Sequence, residues 1–373
     1  MEFTSHSSEE NSSDASAQEL RSVVGIAVPA IALICIIILS VLGNLAVIIA
    51  VLRTPCLREK PSSTFLISLS FADLMNAILV MPSSLAALLA DGWRFGMTLC
   101  YIQCGLTYCF IIVSMVTLAC ISIDGYFAVK RPLRYHSIVT PRVTRVAVAY
   151  TWLKGLAFAA VPAINTWIVY DYWEVACAIE WDNDIYWKAT RAYVLVAFIL
   201  CFLSSICIMI FCYVHIGCAA RTNSTWPLQQ HSRRTHRQIS KNLKVVQSLA
   251  IVVTIFFVCT APFCFTKVLK MFLTSSYVPS YLNLIASWFS YISCATNPFI
   301  YGIFRKDFRR AFVKLFCRQT NAPVTHDRRR GNLTGTGRPD GGGRRGVGEI
   351  NSVRVSSVSG QNNEDLFRTS SMF

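Results

Sequence analysis

A lone aspartate, Asp73, sits mid-way along an apolar run, where a carboxylate is costly unless it meets a cation, a proton or several hydrogen-bond donors. A second acid, Asp124, opens the triplet Asp124-Gly125-Tyr126, which ends another apolar run and is followed by Lys130, Arg131 and Arg134. Pro262 and Pro298 also fall inside apolar runs, the latter within Asn297-Pro298-Phe299-Ile300-Tyr301. Each proline removes a backbone hydrogen bond and gives a helix a place to bend. No metal-ligand pair, nucleophile–base set or phosphate loop accompanies them, so the residues do not read as an enzyme's. They read as groups that hold an ion or proton and exchange partners when helices shift.

The elements that must position them follow from composition. The 373 residues are 54% hydrophobic and only 15% charged, against about 25% charged in a soluble domain. Charge-poor windows cover 24–52, 62–90, 98–129, 143–165, 189–219, 245–273 and 280–304. Each exceeds the ~20 residues a helix needs to cross ~30 Å of hydrocarbon. The fold class expected is an all-α membrane protein, a bundle of seven transmembrane helices. The first window follows a polar leader and is too long for a signal-peptide core, so it is expected to stay as an uncleaved helix.

Basic residues orient the bundle. Arg53, Arg58 and Lys60 follow the first window, Lys130 to Arg145 the third, and Arg221, Arg233, Arg234, Arg237, Lys241 and Lys244 the fifth, whereas Asp171, Glu174, Glu180, Asp182 and Asp184 lie between the fourth and fifth. The N-terminus is therefore expected outside the cell and the C-terminus in the cytoplasm. The net charge of +15 then reflects topology and a basic tail, and calls for no nucleic-acid partner. Most of the fifteen cysteines lie inside windows, as small apolar side chains. Cys100 and Cys177 fall on the outer, oxidising side and form the natural disulfide pair, with Cys104, one turn deeper, as the close rival.

Residues 1–22 form a polar leader, expected to be disordered, with a glycosylation sequon at Asn11. Residues 23–304 form the seven-helix domain. Over 305–317, Phe304, Phe308, Phe312 and Leu315 recur at helical spacing with bases on the other face, which reads as an amphipathic eighth helix on the inner leaflet; Cys317 beside it is a palmitoylation candidate. Residues 318–373, rich in Arg, Gly and Ser, are expected to be a disordered cytoplasmic tail.

Gly43-Asn44, Asp73, Cys100, Asp124-Gly125-Tyr126, Trp152, Phe256, Pro262 and Asn297-Pro298-Phe299-Ile300-Tyr301 follow one another along the windows. Taken in chain order, with two groups each in the third and sixth windows and none in the fifth, they resemble the rhodopsin-like (class A) G-protein-coupled receptors, and most of all the orphan, amine-receptor-like members. The resemblance covers about 24–317. It implies that Asn44, Ser114, Ser293 and Asn297 converge on Asp73 and that the group holds a sodium ion; a hydrogen-bonded polar core without an ion is the alternative. No other cofactor is expected. It also places a ligand among Thr107, Tyr108, Ile111, Phe263, Cys264, Lys267, Ser287 and Tyr291, and a transducer-facing surface with its switch residues at Asp124, Gly125, Tyr126, Tyr213, Phe256, Pro262, Pro298 and Tyr301.

The departures from the family pattern matter as much. Gly125 stands where the family carries the arginine of Asp-Arg-Tyr, and Asn242 where an acid on the sixth helix would meet it. Thr107 replaces the aspartate that amine receptors pair with an ammonium, and the seventh window holds Tyr291 where opsins have a retinal lysine. Thr260 replaces the tryptophan of Cys-Trp-x-Pro, and Ser205 a common proline. Lys267 reads equally as an anion contact or as a snorkelling side chain, and Lys154 as snorkelling toward lipid. The function implied is a plasma-membrane receptor that passes an unidentified extracellular signal to a heterotrimeric G protein, with arrestin and receptor kinases meeting the Ser-rich tail. The alternative is a weakly coupling decoy, given Gly125; a transporter is the more distant rival, since no inverted repeat is visible.

Overall fold

The computed structural model describes residues 21–181, 185–225, 233–273 and 279–316. Asn11, Cys317 and the tail from 318 lie outside them. Seven long helices follow one another: α1 (Val23–Arg53), α2 (Ser63–Met75, running through a π-helical turn Asn76–Val80 into Met81–Leu89), α3 (Gly96–Lys130), α4 (Pro141–Ile164), α5 (Trp187–Ala197, through a π-helical stretch Phe198–Leu203 into Ser204–Thr225), α6 (Arg233–Phe272) and α7 (Ser280–Phe304). The first six are long and apolar enough to span a membrane. The seventh has 25 residues and is more polar because Asn283, Ser287, Ser290, Ser293 and Asn297 line its buried side. An eighth, α8 (Lys306–Phe316), follows at an angle set by Arg305, whose backbone is extended.

α3 is the central post, packed against α2, α4, α5 and α6. Within its most apolar stretch 78% is buried, against 22% for α4, which faces outward. Two glycines permit the closest approaches. A Cβ on Gly155 of α4 would lie 2.8 Å from Val113 Cγ2 and 3.0 Å from the Cys109 carbonyl of α3; one on Gly43 of α1 would lie 2.9 Å from the Pro298 ring of α7.

The π-helical turns have local causes. Pro82 cannot donate to the carbonyl four residues back, and the wider turn before it relieves its ring. In α5 no proline is present. There the Leu200 carbonyl accepts from Ser204 Oγ at 2.6 Å and Lys154 Nζ at 2.8 Å, and the Cys201 carbonyl accepts from Ser205 Oγ at 2.6 Å. Lys154 therefore does not snorkel to the interface; it serves a carbonyl that the widened helix exposes.

Two expectations need correcting at the ends. Arg21 and Ser22, at the end of the leader, are held in place: Ser22 Oγ caps α1 by accepting from the Gly25 amide, and the Arg21 guanidinium lies 4.0 Å from the Tyr172 ring centroid and 3.3 Å from Asp91. Position 305 does not belong to the polar face of the surface helix. Arg305 turns inward and is 8% exposed, while Phe304 closes α7 and stays half exposed. The buried face of α8 is instead Phe308, packed on Tyr301 with the rings tilted by 32° and centroids 5.5 Å apart, with Ala311 and Phe312 beside it.

Because the α3–α4 contact admits no side chain, Gly155→Val should lower the melting temperature of detergent-solubilised protein, at a cost of about 1–3 kcal/mol. A substitution on the outward face, Leu153→Val, should leave it within error, and equal melting of the two variants would contradict the packing described.

Candidate functional site

Three polar centres lie along the bundle. At one end, a two-stranded antiparallel hairpin, β1 (Ile168–Asp171) and β2 (Ala176–Ile179), is bound to α3 by the Cys100–Cys177 disulfide; Cys104 is a buried free thiol. Val175 at its tip has φ +54°, a left-handed backbone that a β-branched residue adopts only under constraint. That turn drives Glu174 into the bundle. Lys267 Nζ of α6 lies 2.7 and 2.6 Å from the two Glu174 oxygens, and Lys270 Nζ lies 2.8 Å from Glu174 Oε1 and 2.8 Å from Asp171 Oδ2. Burial alone would push the Glu174 carboxyl up; the two ammonium groups outweigh it and bring it down to about 2. Two acids thus neutralise two lysines.

The eight residues expected around a ligand are gathered here in two adjoining spaces. Thr107, Tyr108, Phe263, Lys267, Ser287 and Tyr291 line a cleft that Glu174, Ala176 and Cys177 fill almost completely, leaving about 10 Å³. Ile111 and Cys264 line a second cavity of about 70 Å³ with Tyr108, Phe263, Lys267 and α5 residues including Phe198 and Phe202. Its walls are nearly all apolar. Lys267 is thus neither a free anion contact nor a snorkelling side chain: the loop's own acid takes it. Thr107 Oγ1 donates to the Gln103 carbonyl at 2.8 Å, so no charge stands on that wall.

Sequence reasoning missed Glu174 as a pocket residue, and also a relay through Gln103 and Ser84. The Cys177 amide donates to Gln103 Oε1 at 2.7 Å, Gln103 Nε2 donates to Ser84 Oγ at 2.9 Å, and Ser84 Oγ lies 3.0 Å from the Tyr291 hydroxyl. An amide inside an apolar window was the available signal for Gln103. Glu174 looks like any loop acid until the disulfide and strand register carry it under the hairpin.

Midway, Asp73 receives Asn297 Nδ2 at 2.7 Å and Ser114 Oγ at 3.3 Å. The expected convergence is only half realised. Asn44 Nδ2 instead bridges the carbonyls of Ser40 at 2.9 Å and Cys294 at 3.0 Å, and Ser293 Oγ turns back to the Ser290 carbonyl at 2.6 Å. Asn44 Oδ1 and Asn297 Oδ1 are left as buried acceptors without a partner.

At the far end, Gly125 lies inside α3, five residues short of its last residue, so it is not a loose helix terminus. A Cβ there would meet Val246 Cγ2 of α6 at 3.2 Å. Asp124, lacking a neighbouring arginine, accepts from the hydroxyl of Tyr135 at 2.8 Å, on the one-turn helix Tyr135–Ile138. Burial and the adjacent carboxylate both raise the Tyr135 phenol, which stays a donor. A crevice of about 610 Å³ opens beside them, lined by Asp124, Gly125, Tyr135, His136, Val246, Leu249 and Arg305 among others. Tyr126 packs on Phe211 and His215; Tyr213 is 3.3 Å from Ser122 Oγ; Phe256 and Tyr301 are fully buried. Tyr213 and Tyr301 therefore stand behind the crevice wall. Pro262 lies within α6, and Pro298 packs on Gly43.

Known proteins resemble this chain in sequence. The pattern of the family described as "7 transmembrane receptor (rhodopsin family)" matches residues 43–301, from the Gly43-Asn44 pair to Tyr301. The chain belongs to that family. An octopamine receptor beta-2R from Chilo suppressalis is 30% identical over 309 residues, covering 75% of this chain and 77% of the relative. Human 5-hydroxytryptamine receptor 4 is 28% identical over 302 residues, covering 76% and 77%. A melanopsin from Phodopus sungorus is 27% identical over 302 residues, covering 79% and 64%. The chain is thus a multi-pass, rhodopsin-like receptor of the G-protein-coupled class, similar to amine receptors, with the Cys100–Cys177 bridge in place.

The ion-pair cluster sets a pH and mutational signature. A carboxyl held below its ordinary value of 4.5 contributes stability that is complete above that value. The contribution is lost as pH falls from 4.5 toward about 2. Glu174→Gln, which leaves Lys267 buried without its acid, should cost about 3–5 kcal/mol and flatten the acid limb of a melting-temperature-versus-pH curve. Glu174→Gln with Lys267→Met should recover much of the loss. An unaltered acid limb in Glu174→Gln would show that the cluster is not the titrating element.

Proposed function

We propose that this receptor sits in the plasma membrane with its N-terminus and β-hairpin outside, and that it passes an extracellular ligand signal to a heterotrimeric G protein by opening of the Gly125 end. The supporting observation is the course of α6. This single helix carries Phe263, Cys264 and Lys267 into the ligand-side spaces and Val246 and Leu249 into the crevice, with Pro262 between the two sets. A ligand that prefers the state with α6 displaced shifts the population by its differential affinity for that state. The displacement removes Val246 from Gly125 and enlarges the crevice.

The pocket's charge balance speaks to the ligand. Relatives named for octopamine and 5-hydroxytryptamine suggest an amine. Here Thr107 offers no carboxylate, and Glu174 is already shared by Lys267 and Lys270. Tyr291, hydrogen-bonded to Ser84, replaces any retinal-bearing lysine. The reading that fits is a compact, uncharged and mainly apolar ligand group in the cavity between α3, α5 and α6, in contact with Lys267 and with Ile179 of the hairpin.

The Asp73 centre fits a sodium ion. Its oxygens are hard: the carboxylate, Ser114 Oγ and the partnerless carbonyl of Asn297, of the kind a small hard cation prefers. When bound, the ion supplies the positive charge that the buried carboxylate otherwise lacks. The chain's own groups hold Asp73 between α2, α3 and α7 so that movement of α7 alters its surroundings.

A second reading, a decoy that couples weakly, draws on Gly125, which takes the usual arginine from the transducer-facing end. Purified receptor should accelerate nucleotide exchange without ligand on at least one G-protein family, and Gly125→Arg should change that rate. Silence from both proteins with every family would favour the decoy. Sodium should raise the melting temperature of the wild type and leave Asp73→Asn unmoved; equal responses would remove the ion.

A further inference from the structure

Gly125 removes a cation from the crevice, and the corner between α7 and α8 supplies one. Arg305 is 8% exposed, lines the crevice together with Asp124 and Gly125, and its Nε has no hydrogen-bond partner. Its guanidinium carbon lies 4.8 Å from the Phe308 ring centroid, a cation–π contact that uses the face of the group and none of its N–H donors. Asp124 and Asp307 act on it electrostatically, yet each is engaged elsewhere: Asp124 by Tyr135 at 2.8 Å, and Asp307 by Lys60 at 3.1 Å. Among the described residues that line the crevice, Arg305 is the one with a buried polar atom left without a partner.

A buried donor left open is costly, and a guanidinium offers a planar fork of N–H groups that matches a carboxylate. The crevice beside it is large enough for a peptide segment rather than a lone ion. Position 125 carries no charge, and a Cβ there would lie 3.2 Å from Val246 Cγ2, so a side chain at that position needs Val246 to give way.

We propose that Arg305 is the anion-accepting residue of this crevice: it takes over the charge that Gly125 lacks and receives a carboxylate of an acidic peptide segment of the transducer entering between α3 and α6. The inference rests on the receptor reading above, and the two can fail separately. Asp124, held by Tyr135, is the internal acid that faces Arg305 until the incoming carboxylate takes its place.

The test uses the full-length purified receptor and, as probes, short acidic peptides with free carboxylates alongside the same peptides fully amidated. Wild type should bind the acidic forms and not the amidated ones. Arg305→Gln should weaken binding about ten- to a hundredfold, the value of a charge-assisted hydrogen bond, and Arg305→Lys should retain part of it. Gly125→Arg in the Arg305→Gln background should restore binding, with Val246→Ala added to make room. A purely structural role at the α7–α8 corner would not be rescued from α3. Equal binding by wild type and Arg305→Gln, no binding by wild type, or no rescue each overturns the proposal. Should Arg305→Gln not fold, the amidated peptides and Arg305→Lys still decide. Nucleotide exchange separates the two readings: wild-type rates in Arg305→Gln sink the arginine and leave the receptor standing. Charge-dependent peptide binding without exchange on any G protein does the reverse.

Discussion

Hydrocarbon offers no hydrogen bonds, so every polar group carried into the bundle must find its partner within the bundle. The backbone meets this demand by being helical. The side chains meet it pairwise, and each functional centre is a place where the pairing is either complete or conspicuously short. Glu174, Lys267, Lys270 and Asp171 are complete. Asp73 has two donors, while two neighbouring amide oxygens stay open; Arg305 keeps an open donor beside a crevice.

The same demand explains why the ligand end looks unlike an amine site despite the chain's amine-receptor relatives. A carboxylate is present, but it arrives from the hairpin rather than from α3 and brings two lysines with it. Charge in the cleft is internally balanced, and the remaining space is apolar. The strained backbone at Val175 is part of this device: the disulfide fixes Cys177 on β2, the ion pairs fix Glu174 in the turn, and the left-handed residue between them is held by both.

At the other end, loss of one arginine has propagated to its neighbours. Asp124 bonds a tyrosine from the following loop, and Val246 lies 3.2 Å from where a Cβ on Gly125 would stand. The cation that acts on the acid comes from the α7–α8 corner. α6 links these changes to the ligand side because it is one continuous helix.

The sequence by itself determined the number of helices, their approximate bounds and the groups placed inside them, because hydropathy over twenty residues and a lone acid in an apolar run are local properties. It also marked Gly125, Thr107 and the Cys100–Cys177 pair. Partner choice was decided only by the tertiary structure. Lys267 and Glu174 are 93 residues apart, and Asp73 and Asn297 are 224 apart; nothing local says that the first pair meets or that Asn44 and Ser293 turn away from Asp73. Arg305 reads as one more base on an amphipathic face, and it turns inward because the extended corner after α7 shifts the register by which α8 meets the bundle. Hydrogen bonds are settled over about 3 Å, a scale that only the packed helices define.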